Sequence, residues 1–214
     1  MAEYSLKMTS LQFTEKVIEL YTRARHSSFY HPKIRRGRSH TISAQVEDLL
    51  AAFLGFNLLK DFDIYVDQPI TVEGIKKQLY PDIILSEQGI LKSFIDVKMD
   101  LGWNRDGFIK FCQDKDKEID KTLSRKYNLK DGLTKKVSTG HISNMLKYHV
   151  VIISNKNISE TKFNRNIEET KTLNHLKVYC LTSNQHPNTY DELKTVLDSI
   201  KINNDQFEAL LENQ

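Results

Sequence analysis

Apolar residues recur at helical spacing in two segments near the start of the sequence. In Ser10–Arg25 they repeat every three to four positions, which predicts an amphipathic helix. Ser43–Leu54 follows the same pattern. Thr41 or Ser43 is a suitable N-cap for this second helix, and Gly55 is a suitable end.

Beyond residue 60 the spacing becomes strand-like and then alternates between strand and helix. Strands are predicted at Phe62–Val66 (with an extension to Val72 left open), Pro81–Leu85, Gly89–Met99, His149–Ser154 and Leu176–Leu181. Helices are predicted at Trp103–Lys126, Ser159–Leu173, Tyr190–Ile200 and Asp205–Leu211. Residues 128–143 contain Gly132 and Gly140 and are expected to be rich in loops.

This order of elements predicts an α/β fold in a single domain. A helix precedes three strands, and helices then alternate with the last two strands. We therefore expect a mixed central sheet of about five strands, a meander followed by crossover units, with helices on its faces.

The charge distribution adds a candidate surface. Lys and Arg number 31 against 28 Asp and Glu, yet the segment from Tyr21 to His40 contains six basic residues and no acidic one. Such a cluster suits contact with phosphates, because Lys and Arg displace their counterions. A solvated basic loop is the alternative. Lys135 and Lys136 form a second candidate DNA-contacting loop, on composition alone.

Several classes of protein are excluded by what the sequence lacks. No apolar run reaches the roughly 18–20 residues of a transmembrane helix, and the N-terminus has no secretory signal pattern. The two cysteines, Cys112 and Cys180, are too few for a disulfide scaffold or a four-cysteine zinc site. No phosphate-binding loop, HExxH or GxSxG motif occurs. We expect a soluble intracellular protein.

The strongest chemical signal is a pair of charges in an otherwise apolar strand. Asp96 and Lys98 alternate with Ile95 and Val97, so both charged side chains point to one face. Asp82 lies as far before Gly89 as Asp96 lies after it, so a hairpin centred on this glycine sets the two carboxylates opposite each other. Neighbouring carboxylates repel unless a cation lies between them, and Mg²⁺ prefers such oxygen ligands. A structural Asp96–Lys98 ion pair is the alternative.

Pro81-Asp82 followed by Asp96-Val97-Lys98, together with the order of elements, resembles the PD-(D/E)XK nuclease superfamily over about residues 41–182. The resemblance implies a restriction-endonuclease-like fold, in which Asp82, Asp96 and the Val97 carbonyl bind Mg²⁺, with Mn²⁺ as a substitute, and Lys98 assists the attacking water. Many members add a glutamate from the preceding helix. Glu47 is the candidate here, because it lies beside the buried stripe; Asp48 competes with it.

The resemblance further implies a type II restriction endonuclease: a bacterial intracellular homodimer that cuts double-stranded DNA. On this reading residues 1–40 form an N-terminal helix and basic arm, 41–182 the nuclease core, and 183–214 a helical extension. Residues expected to contact phosphates are Arg35, Arg36, Arg38, His40 and Ser43. Two alternatives remain: a repair or recombination nuclease that reads DNA structure, and a non-catalytic nucleic-acid-binding module on the same fold.

Overall fold

The computed structural model describes residues 7–26, 31–35, 37–102 and 104–214. Its helices are α1 (Ser10–Ala24), α2 (Ser43–Asn57), α3 (Phe108–Asp120), α4 (Glu160–Thr170), α5 (Leu193–Ser199) and α6 (Asn204–Glu212). Its strands are β1 (Asp63–Val66), β2 (Ile70–Val72), β3 (Ile83–Glu87), β4 (Ile90–Lys98), β5 (Lys126–Lys130), β6 (Val137–Ser154), β7 (Leu176–Ser183) and β8 (Lys201–Ile202).

All eight of these strands belong to one mixed sheet, so the predicted α/β class is confirmed. The sheet follows the order β1-β3-β4-β6-β5-β2, and β7 and β8 continue from β6. Strands β1, β3 and β4 form an antiparallel meander, whereas β4, β6 and β7 are parallel. The long strand β6 pairs with β5 through its first part and with β7 through its last part.

Each face of the sheet is covered by helices over its own apolar core. On one face α1, α2 and α6 bring Phe13, Phe53 and Phe207 into mutual edge-to-face contact, with ring centroids 5.2–5.6 Å apart. On the other face α3 and α4 contribute Phe108 and Phe163. The N-terminal and C-terminal helices therefore share a core with α2 and the central strands.

The expected sheet of about five strands is too small, because β2, β5 and β8 add to it and because residues 128–143 are not a loop. They contain the end of β5, the start of β6 and the short turn between them. In β5, Tyr127 and Leu129 are buried while Lys126, Asn128 and Lys130 are exposed, which is the period-two pattern of a strand. The flanking lysines and two nearby glycines concealed this pattern in the sequence.

Gly140 marks a close approach of two backbones and not a loop. A Cβ atom at this position would lie 2.0 Å from the carbonyl oxygen of Gly89, in the β3–β4 turn. The N–H of His141 donates to the same oxygen, at 3.3 Å. The missing side chain thus allows the turn to pack directly against β6.

Helix α2 differs from the prediction at both ends. Its N-cap residue is Ile42, and no side chain caps the helix, so neither Thr41 nor Ser43 has the expected capping role. The helix also continues past Gly55 to Asn57, whose side-chain amide donates to the carbonyls of Phe53 and Met8.

Other boundaries move for local reasons. The strand starting near Phe62 ends at Val66, because Asp67 has a positive φ of 50° that breaks the extended run before β2. Helix α3 begins only at Phe108, after the N-cap Gly107, and it ends before Ser124, which also has a positive φ. Trp103, the predicted start of this helix, lies outside the described residues. The remaining predicted elements are present with ends shifted by a few residues, and β8 was not predicted.

The two ends of the path β1-β3-β4-β6-β5-β2 are joined by a short connection. Val66 in β1 pairs with Ile83, and Ile70 in β2 pairs with Leu129 at the far end of the path. Only residues 67–69 separate β1 from β2. The sheet is consequently curled, and β5 lies near β1 although three strands separate them in the path.

Among the described residues, none of the helices has the length and apolar character needed to cross a membrane.

One polar side chain in the core is a fully buried histidine. His149, in the middle of β6, has no exposed surface, and its Nδ1 lies 3.1 Å from the Tyr179 hydroxyl. Its buried Nε2 makes no hydrogen bond among the described residues. Burial, with smaller contributions from Lys177 and Lys147, lowers the pKa of His149 from 6.5 to about 3.

We expect His149 to make the fold sensitive to acid. The unfolded chain binds a proton at His149 below pH 6.5, whereas the folded chain excludes it down to about pH 3. Stability from this group is therefore complete above pH 6.5 and falls by about 1.4 kcal/mol per pH unit below it. Urea unfolding across this range should show a shallower decline for His149→Gln than for the parent. His141→Gln, an exposed change on the same strand, should keep the parent's slope; equal slopes for all three proteins would contradict the assignment.

Candidate functional site

A cleft of about 340 Å³ lies beyond the carboxyl end of β4, where ligands bind in many α/β sheets. It is lined by Ser43, Glu47, Asp82, Val97, Lys98, Met99 and Asp100. Three elements supply these residues: the first turns of α2, the residue preceding β3, and the end of β4 with the residues that follow it. Glu47, Asp82 and Lys98, far apart in sequence, are thus brought together.

The β3–β4 hairpin aligns the two predicted carboxylates. Ile83 pairs with Ile95, so one further step of the same register sets Asp82 opposite Asp96. The ladder itself stops there, since the Val97 N–H donates to the Asp82 carboxylate at 2.6 Å and not to a backbone carbonyl. Asp82 is thereby held at the mouth of the hairpin.

Lys98 lies between the two aspartates. Its Nζ is 3.2 Å from Asp96 Oδ2 and 3.9 Å from Asp82 Oδ2, and its side chain is only 17% exposed. The ammonium also lies 5.7 Å from the ring centroid of Phe111 on α3. The alternation of β4 is as expected, because Ile95 and Val97 enter the opposite core.

Asp96 is the most enclosed acid of the group. Its side chain is 7% exposed, and it does not line the cleft directly. Behind it lie Cys112 of α3 and Tyr148 of β6: burial raises the pKa of the Cys112 thiol to about 12 and that of the Tyr148 hydroxyl well above its usual value, and the Asp96 charge adds to both shifts. Lys98 is therefore the cation that compensates Asp96.

Glu47 occupies the cleft, and Asp48 does not. Glu47 is half-buried at the cleft wall, whereas Asp48 is exposed on the outer side of α2. Burial raises the pKa of Glu47 from 4.5 to about 7, and the charges of Asp82, Asp67 and Asp48 add to this effect while Lys98 opposes it. Burial and then the neighbouring Asp96 likewise raise the pKa of Asp82, against the opposing effects of Lys98 and the Val97 N–H.

The carboxyl groups of Glu47 and Asp82, with Asp96 behind them, surround the single ammonium of Lys98, and their mutual repulsion adds to burial in raising the pKa values of Glu47 and Asp82. In the part of the chain that the structure describes, no three His, Cys, Asp or Glu side chains are already grouped as metal ligands. The donor chemistry nevertheless fits a hard divalent cation, because carboxylate oxygens surround a polar cleft that is short of positive charge.

The Val97 carbonyl is a further candidate ligand for geometric reasons. Both polar backbone groups of a strand residue point towards the same neighbouring strand. The Val97 N–H points towards Asp82, so its carbonyl faces the same side, where the register continues to Pro81. Proline has no N–H to donate, so this residue cannot close the ladder at the Val97 carbonyl.

Asp100 is a residue of the cleft that our sequence analysis missed. It accepts hydrogen bonds from the Gly102 N–H at 2.6 Å and the Asn157 amide at 2.8 Å, and its Oδ2 lies 3.2 Å from His186 Nε2. The Asn188 N–H donates to His186 Nδ1, so Nε2 carries the proton that Asp100 accepts. Burial favours the neutral acid, but the hydrogen bonds from His186, Gly102 and Asn157 outweigh it and lower the pKa of Asp100. The sequence offered one signal for Asp100: it follows Asp96 and Lys98 at the same spacing of two residues.

The predicted phosphate-contacting residues are only partly brought to the cleft. Ser43 lines it, one helical turn before Glu47. Arg35, Arg38 and His40 are exposed, and the Arg35 guanidinium donates to the backbone carbonyls of Pro32 and Ile34. Arg36 lies outside the described residues.

Neither the two histidines of β6 nor the two cysteines lie in the cleft. His141 is exposed and His149 is buried; they pair with Ile90 and Ile95 of β4, which are five residues apart, so roughly 17 Å separates them along the sheet. Cys112 and Cys180 are both buried as free thiols.

Comparison with family models, with curated proteins and with solved structures finds no match to this chain. The candidate site therefore stands on its own geometry.

We expect Glu47→Gln to stabilise the metal-free protein at neutral and alkaline pH. The folded state binds the Glu47 proton more tightly than the unfolded state, so ionising this group costs stability as pH rises from 4.5 to about 7. The gain of the variant over the parent, measured by urea unfolding, should be present at about pH 8 and disappear as pH falls to about 4.5. Asp48→Asn, which leaves Glu47 in place and removes only the smallest contribution to its raised pKa, should retain most of the parent's pH dependence. A variant no more stable than the parent at any pH would show that Glu47 is not in the charged environment described.

Proposed function

We propose that this protein is a Mg²⁺-dependent endonuclease of the PD-(D/E)XK type, with a restriction-endonuclease-like fold, that hydrolyses phosphodiester bonds in double-stranded DNA. The observation that supports this most is the convergence of Glu47, Asp82 and Lys98 on one cleft, with Asp96 directly behind Lys98. These residues come from three separate parts of the fold, and the short sequence motif alone does not guarantee that their side chains lie together.

The topology also supports the proposal. Helix α2 precedes the antiparallel β1-β3-β4 meander, and α3 and α4 then lead to β6 and β7, each parallel to its predecessor. This is the order of helix, strands and crossover units that the resemblance implies. The candidate residues lie at the mouth of the β3–β4 hairpin, as the motif requires.

The oxygens proposed to hold Mg²⁺ are the carboxylates of Asp82, Asp96 and Glu47 and the carbonyl of Val97. When bound, the ion supplies charge neutralisation at the phosphate and lowers the pKa of a coordinated water. The cluster of carboxyl groups supports such a ligand set, because a divalent cation would offset the repulsion between them, which adds to the larger effect of burial in raising the pKa values of Glu47 and Asp82.

Lys98 is proposed to act on the reacting groups. Its ammonium can donate hydrogen bonds to the attacking water and to a phosphate oxygen on which negative charge develops. In the hydrolysis the water oxygen bonds to phosphorus, one phosphorus–oxygen ester bond breaks, and the leaving oxygen takes up a proton. Asp96 positions Lys98 through their 3.2 Å contact, and the apolar wall behind Asp96 keeps this pair partly desolvated.

A type II restriction endonuclease acting as a homodimer is the form of this activity that we favour, and a nuclease that reads DNA structure shares the same site. The non-catalytic alternative also has an observation in its favour, since the Asp96–Lys98 contact is a complete ion pair without metal. Cleavage assays separate all three.

We expect Lys98→Met to slow cleavage strongly and Lys92→Met to leave it unchanged. Both lysines lie on β4 and both form ion pairs, but the partner of Lys92 is Glu87, outside the cleft. With long, sequence-diverse DNA and Mg²⁺, removal of Lys98 should lower the rate about 10²–10³-fold. Asp96→Asn should be inactive, and EDTA should stop the parent enzyme. Because Lys98→Met leaves Asp96 without its cation, Glu47→Gln serves as the second variant, since we expect it to fold stably and still lose cleavage.

Discrete DNA fragments whose formation depends on Asp96 and Mg²⁺ would support a sequence-specific enzyme. A smear of fragments with the same dependence would support a nuclease that reads DNA structure or has no specificity. Equal activity in Asp96→Asn would mean a contaminating nuclease or a wrong site. Intact DNA binding without any cleavage would favour the non-catalytic module.

We expect Mg²⁺ to raise the thermal stability of the parent protein by mass action. At a tenfold excess over the dissociation constant the gain is about 1.4 kcal/mol. Asp82→Asn should lose this gain, because the amide oxygen still accepts the Val97 N–H while the charge is removed. Glu87→Gln, which removes a charge at the other end of β3, should keep it. Differential scanning fluorimetry at constant ionic strength measures the shifts, and identical shifts in the three proteins would argue against a site at Asp82.

A further inference from the structure

The turn between β5 and β6, residues 131–136, is a tightly bonded hairpin tip. The carboxylate of Asp131 accepts hydrogen bonds from the Leu133 N–H at 3.0 Å, the Thr134 N–H at 2.6 Å and the Thr134 hydroxyl at 2.8 Å. The N–H of Asp131 donates to the Lys136 carbonyl at 2.9 Å, which closes the ladder. The shape of the tip is thus set by its own hydrogen bonds and needs no ligand to form.

The tip presents cations around an apolar apex. Leu133 is 93% exposed, and Lys135 and Lys136 beside it are exposed as well. The negative charge of Asp131 is satisfied inside the turn, where hydrogen bonds from Thr134 lower its pKa. On the adjoining strands the exposed side chains nearest the tip are Lys126, Asn128, Lys130 and Thr139, which are polar or basic, and the apolar Val137.

The curl of the sheet brings this tip close to the cleft. The Gly132 N–H donates to the side chain of Gln68 at 3.2 Å. The next residue back, Asp67, donates its N–H to the backbone carbonyl of Asp82 at 2.8 Å. Through these two bonds and one peptide unit, Gly132 lies within roughly 20 Å of Asp82. This separation is shorter than one turn of B-DNA, which is about 34–36 Å.

We propose that the hairpin tip, residues 131–136, contacts the phosphates and a groove of the DNA duplex whose backbone lies in the Asp82–Lys98 cleft, an inference that rests on the proposed function. Lys135 and Lys136 bind phosphates, and Leu133 makes an apolar contact at the base edges or sugars. A β-ribbon fits the major groove, and the charge of the tip is complementary to a polyanion. This assigns a substrate-contacting role to residues that lie more than thirty positions from Asp96 in the sequence.

The test is DNA binding in EDTA, so that no Mg²⁺-dependent cleavage consumes the probe. The probe is a fluorescein-labelled duplex of mixed sequence, about 30 base pairs or three helical turns long. Its anisotropy is measured between about 50 and 200 mM salt. The variant is Lys135→Ala/Lys136→Ala. The matched control is Lys194→Ala/Lys201→Ala, which removes two exposed lysines from α5 and β8.

We expect the tip variant to bind roughly tenfold more weakly or worse, with a slope of log affinity against log salt that is smaller by about 1.8. The control removes the same charge as the tip variant, but it should match the parent in both quantities, because its two lysines lie outside the proposed DNA contact. Leu133→Ser should weaken binding without changing the slope, since it removes no phosphate contact. Thermal melting verifies that each variant is folded.

Parent-like affinity and slope in the tip variant would overturn the inference, as would a parent protein that does not bind the duplex at all. An equal loss in the control would also overturn it, since net charge alone would then explain the effect. The proposed function fails separately: tip-dependent binding without any cleavage would keep the hairpin contact and reject the nuclease.

Discussion

The hydrogen bond from the Val97 N–H to the Asp82 carboxylate is the contact on which the cleft depends. It ends the β3–β4 ladder with a side chain in place of a backbone carbonyl, so the two strands separate at this point. The separation leaves room for Asp82, Lys98 and the Val97 carbonyl to face one volume. Pro81 contributes by having no N–H with which to continue the ladder. The end of regular pairing between β3 and β4 thus allows these polar groups to lie in the middle of the sheet.

The cleft is costly to the fold. Three acids and a single lysine gather where burial penalises charge, and burial together with the neighbouring carboxylates raises the pKa values of Glu47 and Asp82. A chain selected for stability alone has no reason to keep this arrangement, since apolar replacements of buried ion pairs are often neutral or stabilising. Because these energetically unfavourable buried charges are gathered in one cleft, they support a functional role for it. Asp100, in contrast, is fully satisfied by His186, Asn157 and Gly102, and it forms a rigid wall at the same cleft.

The curl of the sheet has the second large effect. Because β1 and β2 are consecutive in sequence but lie at opposite ends of the strand order, the short connection 67–69 draws β5 and its hairpin towards β3. The basic tip at 131–136 and the acidic cleft are therefore both linked to the connection at residues 67–69. Both are attached to the connection through Gln68 and Asp67. A substrate large enough to span the cleft and the hairpin tip meets an acidic cleft that needs a cation and basic side chains at the tip that suit phosphate.

Local patterns in the sequence determined the class of fold, most helices and strands, and the alternation of Asp96 and Lys98 on β4. They also indicated Glu47 over Asp48, because the buried stripe of α2 can be read from spacing alone. They did not reveal β5 or the first part of β6, where lysines and glycines masked a period-two pattern. Strand pairing with β2 and the approach of Gly89 to Gly140 stabilise that region, and both are contacts between residues distant in sequence. Only the tertiary structure decided which acids share the cleft, how far Lys98 lies from each of them, and that the hairpin tip approaches Asp82. Those distances depend on the order and curl of the strands, which non-local packing selects among many arrangements that the same local pattern allows.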